Sequence, residues 1–166
     1  MKLDRLDARL LTELQKDGRR SVVELADAIG LSTTPCARRI KQLEANGVIT
    51  SYAAVIDPAQ LGLKVQAFIQ VKLAQHGDET VAHFERELDK LEEVIGCFAT
   101  TGEHDFLLHV VAPDLEALGN IVLKKLVKIP GVRDVHSSIV LDTIKRSLKM
   151  PLGHLQEAQY HKRSRA

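Results

Sequence analysis

Two short stretches of the sequence carry side chains that could bind something. In the first, "STTPCARRIKQ" (residues 32–42), hydroxyl groups come first and basic groups follow one turn later. At the start of a helix, such groups can hydrogen-bond to DNA phosphates and to base edges in the major groove. The simpler interpretation is a hydrated helix surface. The polar face and flank of this helix comprise Ser32, Thr33, Thr34, Ala37, Arg38, Arg39, Lys41 and Gln42.

The second stretch is "TTGEHD", which comprises Thr100, Thr101, Gly102, Glu103, His104 and Asp105. Gly102 permits a positive φ and a close backbone approach, so that backbone amides can receive a carboxylate. Glu103 and Asp105 can accept hydrogen bonds from an ammonium group. The stretch is therefore complementary to a zwitterion such as an amino acid. Its composition is equally that of an ordinary hairpin bend with solvated charges.

Catalysis is the other chemistry to weigh. Glu103, His104 and Asp105 could act as acid or base groups with His109 or His136, but no nucleophile motif or phosphate-binding loop accompanies them. We therefore expect no enzyme activity, no catalytic residue, no metal site and no cofactor. Cys36 could be a redox sensor at a helix start, although its position favours a small core residue.

Composition indicates a cytoplasmic protein. Of the 166 residues, 45% are hydrophobic and 27% are charged. No apolar run is long enough to span a membrane, and no export leader is evident. The net charge is only +1, so affinity for nucleic acid must come from local patterning.

The first stretch belongs to a predicted three-helix unit. Leucines between residues 3 and 14 recur at helical spacing, and Ser21 with Glu24 forms a capping box for a second helix. Gly30 ends that helix and Ser32 caps the third. A bend this tight is what a helix-turn-helix requires. Together with the basic pair Arg19 and Arg20 and an Asn-Gly wing, it favours DNA binding over a hydrated surface.

Residues 1–50 carry nine basic and seven acidic side chains, a net charge of +2. One such unit contacts few phosphates, so useful affinity needs two or more copies.

The second half predicts a different fold. Strict alternation from Val65 to Leu73 indicates a half-buried strand, and the following segments give the order β-α-β-β-α-β. This is the ferredoxin-like motif, with both helices on one face of an antiparallel sheet. The other face needs a cover, and a second copy predicts a dimer.

The fold class is thus α+β: a winged helix-turn-helix domain (1–50), a hinge strand and linker (51–63), a ferredoxin-like domain (64–147) and a basic tail (148–166). The tail contains a weak helical segment at residues 155–160.

The sequence resembles the Lrp/AsnC family of transcription regulators over about residues 2–148. Four segments carry the resemblance: "LDRLDARLLTELQKDGR", "GLSTTPCARRIKQLEANGVI", "TTGEHDFLL" and "IPGV". The resemblance implies an amino-terminal helix-turn-helix, with residues 32–41 as the DNA-reading helix. It also implies a ferredoxin-like domain that forms dimers, often octamers, and binds amino acids in clefts between subunits, with residues 100–105 at the site. Thr33 departs from the family, where many members carry a second proline, and so does His104; effector identity is therefore not transferable.

The sequence therefore predicts a DNA-binding transcription regulator whose assembly and DNA binding respond to a small effector, an amino acid that is not a cofactor. Its partners would be double-stranded DNA, this effector and further copies of the chain, as a dimer or octamer. The alternative is a non-catalytic ligand-binding or protein-interaction module without effector-dependent DNA regulation.

Overall fold

A computed structural model of the chain describes residues 2–155. Within this range the chain forms two compact units. The first contains the residues up to Ala54 together with those from Lys145 onward, and the second runs from Val55 to Ile144. The finer boundaries at residues 50, 63 and 147 stay predictions.

Three helices build the first unit: α1 (Arg5–Lys16), α2 (Val22–Ile29) and α3 (Thr33–Ala45). The first two begin at reciprocal capping boxes, Asp4 with Asp7 and Ser21 with Glu24. In each box a side chain accepts a hydrogen bond from a backbone amide that the helix itself leaves unpaired. Ser32 occupies the cap position of α3, but its side chain makes no capping hydrogen bond.

The bend between α2 and α3 is as short as the sequence predicts. Gly30 adopts φ 74°, and the Leu31 amide donates to the Ala26 carbonyl at 2.9 Å. A positive φ suits glycine, which has no Cβ to clash. The helix-turn-helix is thereby confirmed, and the helices share one core of Leu10, Leu25, Ala26, Ile29, Cys36 and Leu43.

An ion-pair cluster ties α3 to the start of α1. Arg39 Nη1 donates to Asp7 Oδ1 at 2.7 Å and to Asp4 Oδ2 at 2.8 Å. The side chain of Asp7 is only 4% exposed. A carboxylate this well buried needs a cationic partner, because an unpaired buried charge is strongly destabilising.

The second unit is a four-stranded sheet with its helices on one face. The elements are β1 (Val65–Leu73), α4 (Asp78–Leu88), β2 (Val94–Ala99), β3 (Phe106–Ala112), α5 (Leu115–Asn120) and β4 (Val132–Ile139). The strands lie in the order β2-β3-β1-β4, and every neighbouring pair is antiparallel. The ferredoxin-like prediction is confirmed.

The two faces of this sheet differ sharply. Alternate residues of β1, from Ala67 to Leu73, are buried with Phe84 of α4 and Leu118 of α5. The opposite face carries side chains that no helix of the described unit covers. One row across all four strands of this uncovered face comprises Phe98, Leu107, Gln70 and His136, and the next comprises His109, Phe68 and Ser138.

Three predicted elements differ from the structure. The helix predicted after Asp114 is α5 followed by a π-helical turn (Ile121–Lys125) and a 3-10 turn (Leu126–Lys128). The last strand ends at Ile139 and not near residue 144.

The predicted hinge strand and wing are irregular. Residues 51–57 form no strand, because a strand needs a partner and the described chain offers none there. The single helical turn predicted in the linker is present at Pro58–Leu61.

Replacing Arg39 with Ala should lower the free energy of unfolding by about 3 kcal/mol, because Asp7 loses its partner while buried.

The Asp4 carboxyl makes the stability of the fold depend on pH. Burial raises its pKa, but hydrogen bonds from the Asp7 amide and from Arg39 outweigh that effect and leave the pKa below its usual value. Asp4 therefore stabilises the fold above about pH 4 and loses this contribution as the pH falls through the lowered value.

Denaturant unfolding followed by circular dichroism measures both effects. Arg38→Ala, at an exposed neighbour on the same helix, is the matched control and should change stability by less than about 0.5 kcal/mol. The acid-side loss of stability should be smaller in Arg39→Ala than in the control. Equal stability of the two variants would contradict the role assigned to the cluster.

Candidate functional site

The outer face of α3 presents a row of polar and basic groups. Cys36 and Leu43 are buried, and this fixes which way the helix is turned. Side chains that can donate hydrogen bonds to base edges or phosphates therefore share one accessible surface. The exposed residues are Ser32, Thr33, Thr34, Arg38, Lys41 and Gln42, and Ala37 is half-buried among them.

The four arginines predicted to contact DNA fall into two groups. Arg19 and Arg38 are exposed. Arg20 donates to Glu13 Oε2 at 2.5 Å and to the Glu24 carbonyl at 3.3 Å. Arg39 is held by the acidic pair at the start of α1.

The structure argues against DNA contacts by Arg20 and Arg39, because their guanidinium groups already serve the fold. The sequence carried one usable signal: Arg39 lies on the flank of the helix, at the edge of the packed face.

The loop between β2 and β3 contains the second predicted site. The Thr100 amide donates to the Asp105 carbonyl at 2.9 Å, and Thr100 Oγ1 donates to the His104 carbonyl at 3.0 Å. Gly102 has φ 121°, where a side chain is strained. These contacts close the loop beside a shallow cavity of about 390 Å3. Its lining comprises Gln70, Thr100, Thr101, Glu103, His104 and Leu107.

Asp105 does not line this cavity. Its carboxylate accepts a hydrogen bond from the Leu73 amide at 2.7 Å, and its backbone amide donates to the Val71 carbonyl at 2.9 Å. The prediction that Asp105 receives a ligand's ammonium group is therefore not supported, because this side chain pins the loop to β1. Glu103 is exposed and remains the carboxylate at the cavity.

Gln70 and Leu107 are cavity residues that sequence reasoning missed. They pair directly across β1 and β3 on the uncovered face. The alternation of β1 had already placed Gln70 on its outward face, but only the strand register brings it to the loop.

His104 is a mostly buried side chain of the loop, and it lies near a carboxylate of β4. Its side chain is 15% exposed, and Nε2 lies 3.9 Å from Asp134 Oδ2. The ring centroid of His136 is 6.3 Å away. The imidazole therefore forms a wall of the cavity, with β4 behind it.

The remaining candidates for chemistry have structural roles. His109 stacks on Phe68 at 4.8 Å between ring centroids and contacts Gln66. Cys36 is buried, and burial raises the pKa of its thiol, the opposite of what a reactive thiolate requires. Within residues 2–155, no group of three or more His, Cys, Asp or Glu side chains is arranged to hold a metal ion. Nor is any helix of that range long and apolar enough to cross a membrane.

Comparison with known families matches both units. Residues 3–44 match the AsnC-type helix-turn-helix domain, and residues 66–150 match the Lrp/AsnC ligand-binding domain. The first match contains α1, α2 and nearly all of α3. The second contains all of the sheet except Val65, together with the cavity loop.

Similar proteins cover nearly the full chain. The leucine-responsive regulatory protein of Escherichia coli K12 is 36% identical over 148 residues, 89% of this chain and 90% of that protein. The transcriptional regulator NMB0573 of Neisseria meningitidis, solved with L-methionine, is 41% identical, with a TM-score of 0.88 over 92% of this chain and 99% of that one. The feast or famine regulatory protein of Mycobacterium tuberculosis, also complexed with L-methionine, is 31% identical, with a TM-score of 0.80 over 89% of this chain and 98% of that one.

These relatives are transcription regulators and not enzymes. With both domains matched in order, the chain belongs to the Lrp/AsnC family of transcription regulators.

Proposed function

We propose that the chain reads DNA through α3 as a cytoplasmic homo-oligomer, and that an amino acid bound beside the β2–β3 loop modulates this binding. The observation that carries the proposal is the division of α3 into a buried face and an exposed basic face. The ligand acts by preferring one arrangement of the copies, for which a coupling of about 1 to 3 kcal/mol is typical.

The DNA-reading surface of this proposal consists of Thr33, Thr34, Arg38, Lys41 and Gln42 on α3, with Arg19 in the turn after α1. Short hydroxyls at the amino end of the helix suit phosphates, and Arg38 one turn later suits guanine O6 and N7. Arg20 and Arg39 are bonded within the unit and are not part of this surface.

The effector site of this proposal is the cavity lined by Gln70, Glu103 and His104. Polar groups predominate, as an amino acid's charged ends require, and Leu107 offers the apolar contact. L-methionine is bound in two of the similar structures, so it and other amino acids are the ligands to try first.

Dimer formation is supported by the uncovered face of the sheet. Phe98 is 57% exposed and Phe68 38% exposed on that face. Exposed aromatic side chains on a sheet face mark an interaction surface. Gln70 and Leu107 lie in the same row as Phe98, so a second copy on this face would also close over the cavity. Assembly of dimers into an octamer is the further step of the proposal.

Replacing Arg38 with Ala should weaken DNA binding about tenfold and lower the slope of log affinity against log salt by about one. The measurement is fluorescence anisotropy on the duplex upstream of the protein's own gene, at several salt concentrations. Arg133→Ala, which removes an exposed charge from the second unit, is the control and should change neither quantity. An unchanged slope for Arg38→Ala would remove that residue from the interface. Failure of the unaltered protein to bind any duplex would favour the protein-interaction module.

Replacing Gly102 with Ala should abolish the effector response while basal DNA binding persists, because φ 121° is unfavourable for a side chain and the loop must move. The same titration with each of the twenty amino acids measures this. Gly119→Ala is the control: it lies within α5, where an added Cβ meets nothing within 4 Å, and should keep the response. Loss of DNA binding together with the response would contradict two separable sites.

Replacing Phe98 with Asp should convert the dimer to a monomer, because a carboxylate on the uncovered face cannot be buried without a partner. Sedimentation velocity measures the mass directly. Leu115→Asp, at an equally exposed position at the start of α5, should leave the mass unchanged. A dimer that survives Phe98→Asp would move the interface away from this face.

A further inference from the structure

The charges of the chain are divided unequally between its two units. Residues 1–54 carry nine basic and seven acidic side chains, whereas residues 55–144 carry eight basic and fourteen acidic ones. Residues 145–155 add Lys145, Arg146 and Lys149 to the first unit and no acidic residue. Residues 145–155 therefore raise the net charge of the described part of the first unit from +2 to +5, while the second unit stands at −6.

The segment is attached to α1 by specific contacts. The Met150 amide donates to Gln15 Oε1 at 2.5 Å, and Gln15 Nε2 donates to the Met150 carbonyl at 3.3 Å. One side-chain amide thus satisfies both backbone groups of Met150, as a neighbouring strand would. Half-buried Leu152 and Leu155 line an apolar cavity of about 680 Å3 together with leucines of α1. Directly after the basic run, the chain is therefore held on the first unit.

The anchoring places a basic group beside the end of α1. Lys149 lines a small cavity with Thr12, Gln15 and Lys16. The next turn of the chain carries exposed Arg19, a residue of the proposed DNA-reading surface. Lys149 therefore adds a positive charge beside the last turn of α1.

The three basic side chains are also available, in contrast to Arg20 and Arg39. Lys145, Arg146 and Lys149 are exposed, and none forms an ion pair within residues 2–155. A cation that serves no carboxylate of its own protein can bind a phosphate without first giving up a partner.

We propose that residues 145–149 are a second DNA contact, which binds backbone phosphates flanking the sequence that α3 reads. The inference rests on the proposed DNA binding and adds to it a surface outside the helix-turn-helix. Such contacts contribute affinity and salt dependence with little sequence preference, because a phosphate carries no base identity.

The test is the triple variant K145Q/R146Q/K149Q in the full chain, titrated by anisotropy onto a random-sequence duplex of about 30 base pairs at low salt. We expect the salt slope to fall by about two to three, at roughly 0.9 for each phosphate that the variant no longer neutralises, and the affinity to fall at least tenfold. On the duplex upstream of the protein's own gene, the preference over the random duplex should be unchanged. Circular dichroism melting verifies that the fold is intact.

The matched control is K124Q/K128Q/R133Q, which removes three exposed charges from the second unit. Its slope should equal that of the unaltered protein. Leu152→Asp, which weakens the anchor but keeps all three charges, should give an intermediate affinity. An unaltered slope in the tail variant, or an equal fall in the control, would overturn the second contact while leaving DNA binding by α3 in place. Absence of binding by the unaltered protein to either duplex would overturn the proposed function itself.

Discussion

The structure depends on the burial of one face of α3. Cys36 and Leu43 are fully buried against α1 and α2, and Arg39 is bonded to the two acidic residues at the start of α1. Apolar contact fixes the helix in place, and the ion pairs fix its rotation, because a buried carboxylate tolerates few positions of its cation. The exposed hydroxyl and basic groups therefore present one constant arrangement. A DNA-reading surface requires this, because base-edge hydrogen bonds demand accurate placement of each donor.

In the second unit, the corresponding constraint is a sheet with only one face covered. Burial of alternate β1 residues against α4 and α5 leaves Phe68, Gln70 and Phe98 outward. Asp105 holds the β2–β3 loop against β1, because its carboxylate accepts a hydrogen bond from the Leu73 amide and its own amide donates to the Val71 carbonyl. In the proposed function, a cavity beside an incompletely buried face would link ligand binding to assembly, since a group bound there would meet whatever covers that face.

The charge of the chain is divided unequally between its two units. The first unit is positive and the second is negative, although the whole chain is nearly neutral. The carboxyl-terminal segment returns to α1 after the second unit is complete, through the bonds between Gln15 and Met150. The chain thus leaves the first unit once and comes back to it, so basic residues from both ends of the described chain belong to one unit.

The sequence alone determined the order of the main helices and strands, but not the irregular segment 51–57 or the breaks in the helix after Asp114. The capping box at Ser21, the glycine at residue 30 and the alternation of β1 are local signals, and each was readable within a few residues. The exposed face of α3 could be predicted from the spacing of its apolar residues, and the loop beside the cavity from Gly102 and the charged residues around it. Only the tertiary structure decided which charged groups are free: Arg39 and Asp105 are bonded to partners 32 residues away, and Gln15 to one 135 residues away. Gln70 and Leu107 reached the cavity through strand register. Local sequence patterns cannot predict such contacts, because they arise from packing between helices and strands that are distant in the sequence. The same side chain can bind a ligand or stabilise the fold, depending on which groups lie next to it.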